Sequence, residues 1–474
     1  MDKEKVYVTT TLPYVNSKPH IGFAAELVRA DAYARWQKQS GKEVFLNTGT
    51  DEHGQKIYDK AKEEGMDPQE FVDKLAAEFK KLLPALGVLK EANFVRTTDE
   101  HHKLAAQEMW RRCRDNGDIY KAKQPVKYCK GCEMEKTDSE LKDGKCPLHP
   151  NDEIEIREEE NYFFRFSKYQ EPLLKLYEEN HKFVVPPFRQ EEIKKFVAAG
   201  LQDFSVSRLK SKMAWGVPVP DDDEHVMYVW FDALTNYISV TGWPEKEDFD
   251  GWWPGVQFAG KDNLRQQSAI WQAMLMSAGL PTSKQIFIGG FITSGGQKMS
   301  KSLGNVISPY EMIDRYGEEA TRYLLLRHVH PFEDTDVTWD KLDEWYTANL
   351  VNGLGNLTAR IMKMAETHLE EPVDFTDLDL NDDAISLAEF RFDKVLEHIW
   401  SNIQLLDEEI TNKEPFKLVK TDKEAAQKII IGLVNGLWVV AQDLQPHLPK
   451  TAEIILAAIK ENKKPENLFT RLDK

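Results

Sequence analysis

Short apolar strands alternate with amphipathic helices over the first hundred or so residues, and few folds accept that alternation. Segments 6–11, 44–48 and the pair Phe94-Val95 read as strands, while 27–39 and 68–86 carry helical periodicity. Strands joined by helices must run parallel, which predicts an α/β sheet with its ligand sites at the carboxyl ends of the strands. The texture breaks at Asp118 into cysteines, charged turns and a Pro-rich joint at Val185-Pro-Pro187. It resumes after Asp222 with apolar runs at 226–230, 256–259 and 285–288. A Rossmann-type parallel sheet split by an insertion is the simplest reading.

Beyond Pro309 the strand signals fade, and from Asp343 helical spacing dominates, as in Leu387, Phe390, Val395, Leu396, Ile399, Trp400, Ile403 and Leu406. An all-α helical bundle is expected to follow the sheet. Its most apolar piece, 429–441, is interrupted by Asn435 and Gly436 and is shorter than the ~20 residues of a bilayer span, so it reads as a bundle helix. The expected division is 1–117 and 223–309 for the two halves of the sheet, 118–222 for the insertion, 310–345 for a linker and 346–474 for the bundle.

With 474 residues, 41% hydrophobic and 30% charged, the chain has the balance of a soluble globular protein of several domains. No apolar signal region follows the charged start Met-Asp-Lys-Glu-Lys, which reads as cytoplasmic with no membrane association. Four cysteines are too few for a disulfide framework in a chain of this length. A net charge of −17 argues against indiscriminate binding to polyanions such as DNA, while leaving room for RNA contact through a local basic strip.

Two distant segments carry chemistry. Lys18-Pro-His-Ile-Gly-Phe23 follows the first strand and opens a helix, forming a strand-loop-helix phosphate site with unpaired amides and a histidine beside them. Lys298-Met-Ser-Lys-Ser302 follows Ser294-Gly-Gly-Gln297 and offers two lysines and two hydroxyls to a leaving polyphosphate. A third cluster, Cys129-x2-Cys132 and then Cys146-x2-His149, supplies the four ligands of a closed structural Zn²⁺ site. Four protein ligands leave no open position, so such a zinc would hold the insertion together without entering the chemistry.

The two phosphate segments resemble the HIGH and KMSKS signatures of class I aminoacyl-tRNA synthetases. With the metal knuckle, and with Leu12-Pro-Tyr-Val-Asn16, Thr48-Gly-Thr-Asp-Glu-His-Gly54, Tyr228-Val-Trp-Phe-Asp-Ala-Leu234, Gly260-Lys-Asp262 and Gly353-Leu-Gly-Asn-Leu357, the resemblance narrows to the methionyl-tRNA synthetases and covers nearly the whole chain. It implies a two-step reaction: methionine and ATP with Mg²⁺ give methionyl-adenylate and pyrophosphate, and the amino acid then passes to the 3' end of tRNA(Met). The resemblance assigns His20, Lys298 and Lys301 to catalysis, and His20, Gly22, Asp262, Lys298, Ser300 and Lys301 to ATP. It places methionine against Leu12, Tyr14, Asp51, Trp230, Ala233, Leu234, Tyr237 and Gln267, with Arg208 near Asp51. Asn356, Arg360 and Phe416 are assigned to the anticodon, and Lys413, Lys417 and Lys420 form the basic strip nearby. With no appended RNA-binding module after the bundle, a monomer is expected.

Two departures from the family pattern stand out. Phe23 replaces the second histidine of the first signature, which implies slower activation and a gain from Phe23→His. Gln267 stands where a histidine is common, keeping hydrogen-bonding capacity without a titratable group. The alternative suggested by Phe23 is a synthetase-like tRNA-binding or regulatory protein with weakened or lost activation.

Overall fold

The computed structural model describes residues 3–129, 134–136, 141–147, 153–245, 248–299, 305–375 and 387–472. Three strands, β1 (Lys5–Thr10), β2 (Glu43–Thr50) and β3 (Asn93–Arg96), form one half of a six-stranded sheet. The order across it is β3, β2, β1, Val256–Gly260, Gln285–Gly289 and Val184–Val185, and every pairing is parallel. Val8 sits between Leu46 and Val256 in register. The chain leaves β1 toward β2 on one side and returns to its other side only at Val256, so the winding direction reverses there. Reversal parts the connecting loops and opens a crevice at the carboxyl ends of these two strands. Val6 and Val8 enter one core and Tyr7 the other, because successive strand residues face opposite sides and a parallel sheet is covered on both.

Within the expected insertion, Ile119–Cys129 and Ile154–Phe164 form a long antiparallel hairpin from Ile119 opposite Phe164 to Cys129 opposite Ile154. Met134–Lys136 and Phe204–Ser205 complete its four-stranded sheet. The segment also reaches back: Val184 and Val185 pair with Ile286 and Phe287 at the edge of the main sheet.

Two expectations need correction. The run 226–230 does not resume the parallel sheet. Asp222–Met227 belongs to a small antiparallel sheet with Ser207–Leu209 and Pro218–Val219, and Val229–Ala233 is a short helix. A brief apolar run signals burial without saying which sheet buries it. Phe390 is not a helix residue either. It has φ 57° in the break between the turn Leu387–Glu389 and the helix Phe392–Lys413.

Trp339–Trp345, Tyr346–Gly355 and Asn356–His368 follow one another as continuous helical segments, packed with Phe392–Lys413, Lys423–Leu444 and Pro449–Lys460. Lys423–Leu444, at 22 residues, outruns the expected 429–441 and is the one described helix long and apolar enough to cross a membrane. Its Ala426, Ile430, Leu433, Leu437 and Val440 are instead buried within the bundle. The bundle shares a core with the sheet: Phe390 lies 5.0 Å from Tyr33, 5.6 Å from Phe258 and 5.5 Å from Phe287, centroid to centroid.

Candidate functional site

The crevice is a cavity of 1570 Å³. Along one wall, α1 (Ile21–Gln39) begins at His20, whose extended backbone (φ −121°, ψ 165°) makes it the N-cap. The Gly22 amide donates to His20 Nδ1 at 3.1 Å, which leaves Nε2 as the protonated ring nitrogen. No acidic side chain occupies the first turn of α1, so its positive end faces the cavity without an internal counter-charge. A Cβ on residue 22 would meet His20 Cε1 at 2.9 Å, and glycine is what lets the imidazole fold over the helix start. Phe23 points its ring into the core, edge-on to Phe79 at 5.4 Å, while also bordering the cavity.

At the end of β2, Asp51 bridges to Tyr14 and holds the loop after β1 through Val15 N–H to Asp51 O at 3.1 Å. Its Oδ1 is buried and has no hydrogen-bond partner among the described residues. Burial pushes the Asp51 carboxyl well above the usual range, and the charges of Asp232 and Glu52 add to this against a hydrogen bond from the His53 amide. Leu12, Tyr14, Trp230, Ala233, Leu234, Tyr237, Gln267 and Arg208 line the same cavity. Gln267 Nε2 donates to Tyr237 Oη at 2.5 Å, and Gln267 Oε1 accepts from Gln257 at 3.1 Å. The glutamine is therefore a fixed part of the floor. Trp230 stays exposed at the mouth, 5.5 Å from the Tyr228 ring, and the Arg208 guanidinium lies over Tyr228 at 4.5 Å.

Across the crevice, Asp262 sits in the single turn Lys261–Asn263 that follows Val256–Gly260. Beside it is a residue missed by sequence reasoning. Glu26 Oε1 accepts from Thr11 N at 2.8 Å and from Thr11 Oγ1 at 2.6 Å. Burial pushes its carboxyl up to about 8, against those two hydrogen bonds and with a further push from Asp262. The available signal was spacing: Glu26 follows Gly22 by four, on the same face of α1.

The second signature begins on a hairpin. Ile292–Ser294 pairs with Gln297–Lys298 across Gly295 and Gly296, both at positive φ (63° and 72°) as a two-residue turn requires. Met299 and Val306 border the cavity, while the Lys298 side chain, Ser300 and Lys301 lie outside the described residues. Of the metal cluster, Cys129 and Cys146 are both buried; Cys132 and His149 lie outside the described residues. Among the described residues no group of three metal-binding side chains is assembled.

In the bundle, Arg360 and Phe416 line a second cavity of 730 Å³ with Lys363, Met364, Thr367, His368 and Lys464. Phe416 is exposed, and Arg360 is ion-paired with Asp407. Asn356 is an exposed residue one turn before Arg360 and does not line this cavity.

Similarity to known proteins extends over nearly the whole chain. The chain matches the family described as tRNA synthetases class I (M) over residues 6–154 and 139–362. It is 39% identical to a methionine-tRNA ligase of Thermotoga maritima over 97% of this chain and 76% of that one. A methionine-tRNA ligase of Brucella suis is also 39% identical, over 96% and 92% of the two chains. Among solved structures, Mycobacterium tuberculosis methionyl-tRNA synthetase in complex with methionyl-adenylate superposes with a TM-score of 0.85 at 34% identity, covering 96% of this chain and 93% of that one.

Proposed function

Because this chain belongs to the class I (M) tRNA synthetases, we infer that it is a methionine-tRNA ligase, activating methionine with ATP and Mg²⁺ and charging tRNA(Met). The observation that carries the substrate is the buried Oδ1 of Asp51, unpartnered among the described residues, inside a cavity walled by Leu12, Tyr14, Trp230, Ala233, Leu234 and Tyr237. A carboxylate with an open valence calls for a cation, and the apolar and aromatic walls suit a thioether. Methionine presents both. On this reading Gln267 closes the floor of the pocket by bracing Tyr237. Asp262 holds the ribose, the amides at the start of α1 with Gly22 and His20 receive the phosphates, and Lys298, Ser300 and Lys301 close on the leaving pyrophosphate. The protein supplies orientation and charge stabilisation, with little covalent chemistry of its own.

The alternative of a binder without activation is not favoured. Relatives that match over nearly the full chain are named as ligases, and the pocket retains Asp51, which an RNA binder would not need. ATP-pyrophosphate exchange across the twenty amino acids tests the assignment. Exchange with methionine alone is expected; none with any amino acid would overturn it.

The division 1–117, 118–222, 223–309, 310–345 and 346–474 is retained in this reading, with Asn356, Arg360 and Phe416 of the last unit reading the anticodon. The thiols of Cys129 and Cys146 suit a structural Zn²⁺ completed by Cys132 and His149. About one zinc per chain by elemental analysis is expected, and none in fully active protein would remove it. We place the protein in the cytoplasm as a monomer.

A further inference from the structure

Behind the cavity wall lies a buried carboxylate held between two histidines. Asp232 is fully buried and both its oxygens are engaged: Oδ2 lies 2.6 Å from His53 Nδ1, and Oδ1 lies 2.8 Å from His102 Nε2. His102 Nδ1 in turn meets Ser239 Oγ at 3.3 Å. None of Asp232, His53 and His102 lines the cavity. The cluster joins three elements: the end of β2, two residues from Asp51; the short helix Val229–Ala233, which carries Trp230 and Ala233 to the cavity; and the helix Glu100–Asp115, which carries His102.

We propose that His53, Asp232 and His102 form a positioning and charge-setting unit for Asp51, in which the two imidazoles compensate Asp232 so that Asp51 can carry the negative charge that receives the substrate ammonium. This rests on the reading of Asp51 as the ammonium partner. The groups acting on Asp51 are few. Asp232 and Glu52 oppose its ionisation, Tyr14 and Tyr228 line the same cavity and have their hydroxyls pushed up in part by Asp51, and Arg208 stands beyond Tyr228. Glu52 is already matched by Arg96, at 2.8 and 2.9 Å. Asp232 is then the principal charge left to compensate, and among the described residues only the two imidazoles pair with its carboxylate. Burial opposes ionisation of Asp232, yet His53 beside it and the hydrogen bonds with both rings hold its carboxyl down to about 2. Asp232 therefore stays charged, and its compensation falls to His53 and His102. Neither His102 nor Ser239 touches the cavity, so their influence on substrate passes through Asp232 and Asp51.

The test is methionine binding by equilibrium dialysis across pH, without ATP, for the wild type, Asp232→Asn, His102→Gln and Ser239→Ala. Wild-type binding is expected to fail on the acid side as Asp51 protonates. Asp232→Asn removes a negative neighbour, which eases Asp51 ionisation and moves that limb to lower pH. His102→Gln removes compensation, moves the limb to higher pH and weakens binding near neutrality by about tenfold. Ser239→Ala shifts it less, in the same direction as His102→Gln, and ATP binding is unchanged in all three. If Asp232→Asn does not fold, the other two variants decide. An unmoved limb in folded His102→Gln and Ser239→Ala overturns the proposal, even if affinity falls overall. Failure of the wild type to bind methionine would instead overturn the reading of Asp51.

Discussion

Phe23 shows why a substitution in a signature need not be a lost function. Its ring is buried edge-on to Phe79, so an imidazole there would face apolar surface before it faced phosphate. The gain in activation that the sequence implies for Phe23→His is thus opposed by packing. The variant is expected to lose about 1 to 3 kcal/mol of stability and to form adenylate no faster; rapid-quench kinetics beside chemical denaturation will show which effect wins. Glu26 gives a second prediction. Its carboxyl is pushed up to about 8, so the folded state binds this proton more tightly than the unfolded chain. That contribution is complete at low pH and is lost as pH rises through the folded value. Glu26→Gln mimics the protonated form, and its Tm in the ligand-free protein should exceed the wild type's increasingly between about pH 5 and 8. A constant difference would mean that Glu26 is ionised throughout. That His20 and Asp51 line the crevice was legible because each stands in a motif. Glu26 was not, because a glutamate on a helix is ordinarily a solvated one, and only Thr11, brought near by the fold, shows otherwise.

Among the elements, β1, β2, β3 and α1 were legible because period and length agree along each. The run 226–230 was not, since a short apolar stretch fits a parallel or an antiparallel neighbour equally well. Nor could the sequence show that Val184–Val185, two residues from within the insertion, would close the edge of the main sheet. The turn from Phe392–Lys413 into Pro415–Leu418 is made by Glu414 at φ 41°. It presents Phe416 to solvent above the cavity shared with Arg360. A phenylalanine left 44% exposed there is available for stacking and adds little to the core. Phe416→Ala is expected to weaken tRNA binding by about 1 to 3 kcal/mol and to leave both Tm and methionine-dependent pyrophosphate exchange within error. A fall in Tm together with lost exchange would make the ring structural.

For the molecule as a whole, periodicity could announce a bundle after a sheet, but not that the two share one core. Phe390, set at φ 57° between helices, fills the space among Tyr33, Phe258 and Phe287, a match that exists only in three dimensions. A polar tie accompanies it. Arg322 is fully buried, 2.7 Å from Asp31 of α1, and donates to His447 O at 2.8 Å and Leu86 O at 3.0 Å. One side chain thus joins the helix that starts at His20, the turn after Pro68–Ala85 and the end of Lys423–Leu444. Asp31 has other donors, Leu89 N at 2.8 Å and Arg35 Nε at 2.8 Å, so removing Arg322 would not orphan it completely. Three buried carbonyls, of Leu86, Pro446 and His447, would nonetheless lose a donor, and a buried carboxylate would lose its nearest cation. Arg322→Met, which keeps apolar bulk, is expected to cost about 3 to 5 kcal/mol, the scale for breaking one side of a buried ion pair. The loss should appear in urea unfolding as a lower midpoint with unchanged slope, since the same surface is exposed on unfolding. A shallower slope would show the bundle detaching before the sheet, which makes Arg322 the link between them. Stability within about 1 kcal/mol of wild type would mean that α1 is held to the bundle by apolar packing around Phe390, with the ion pair merely compensating its own burial.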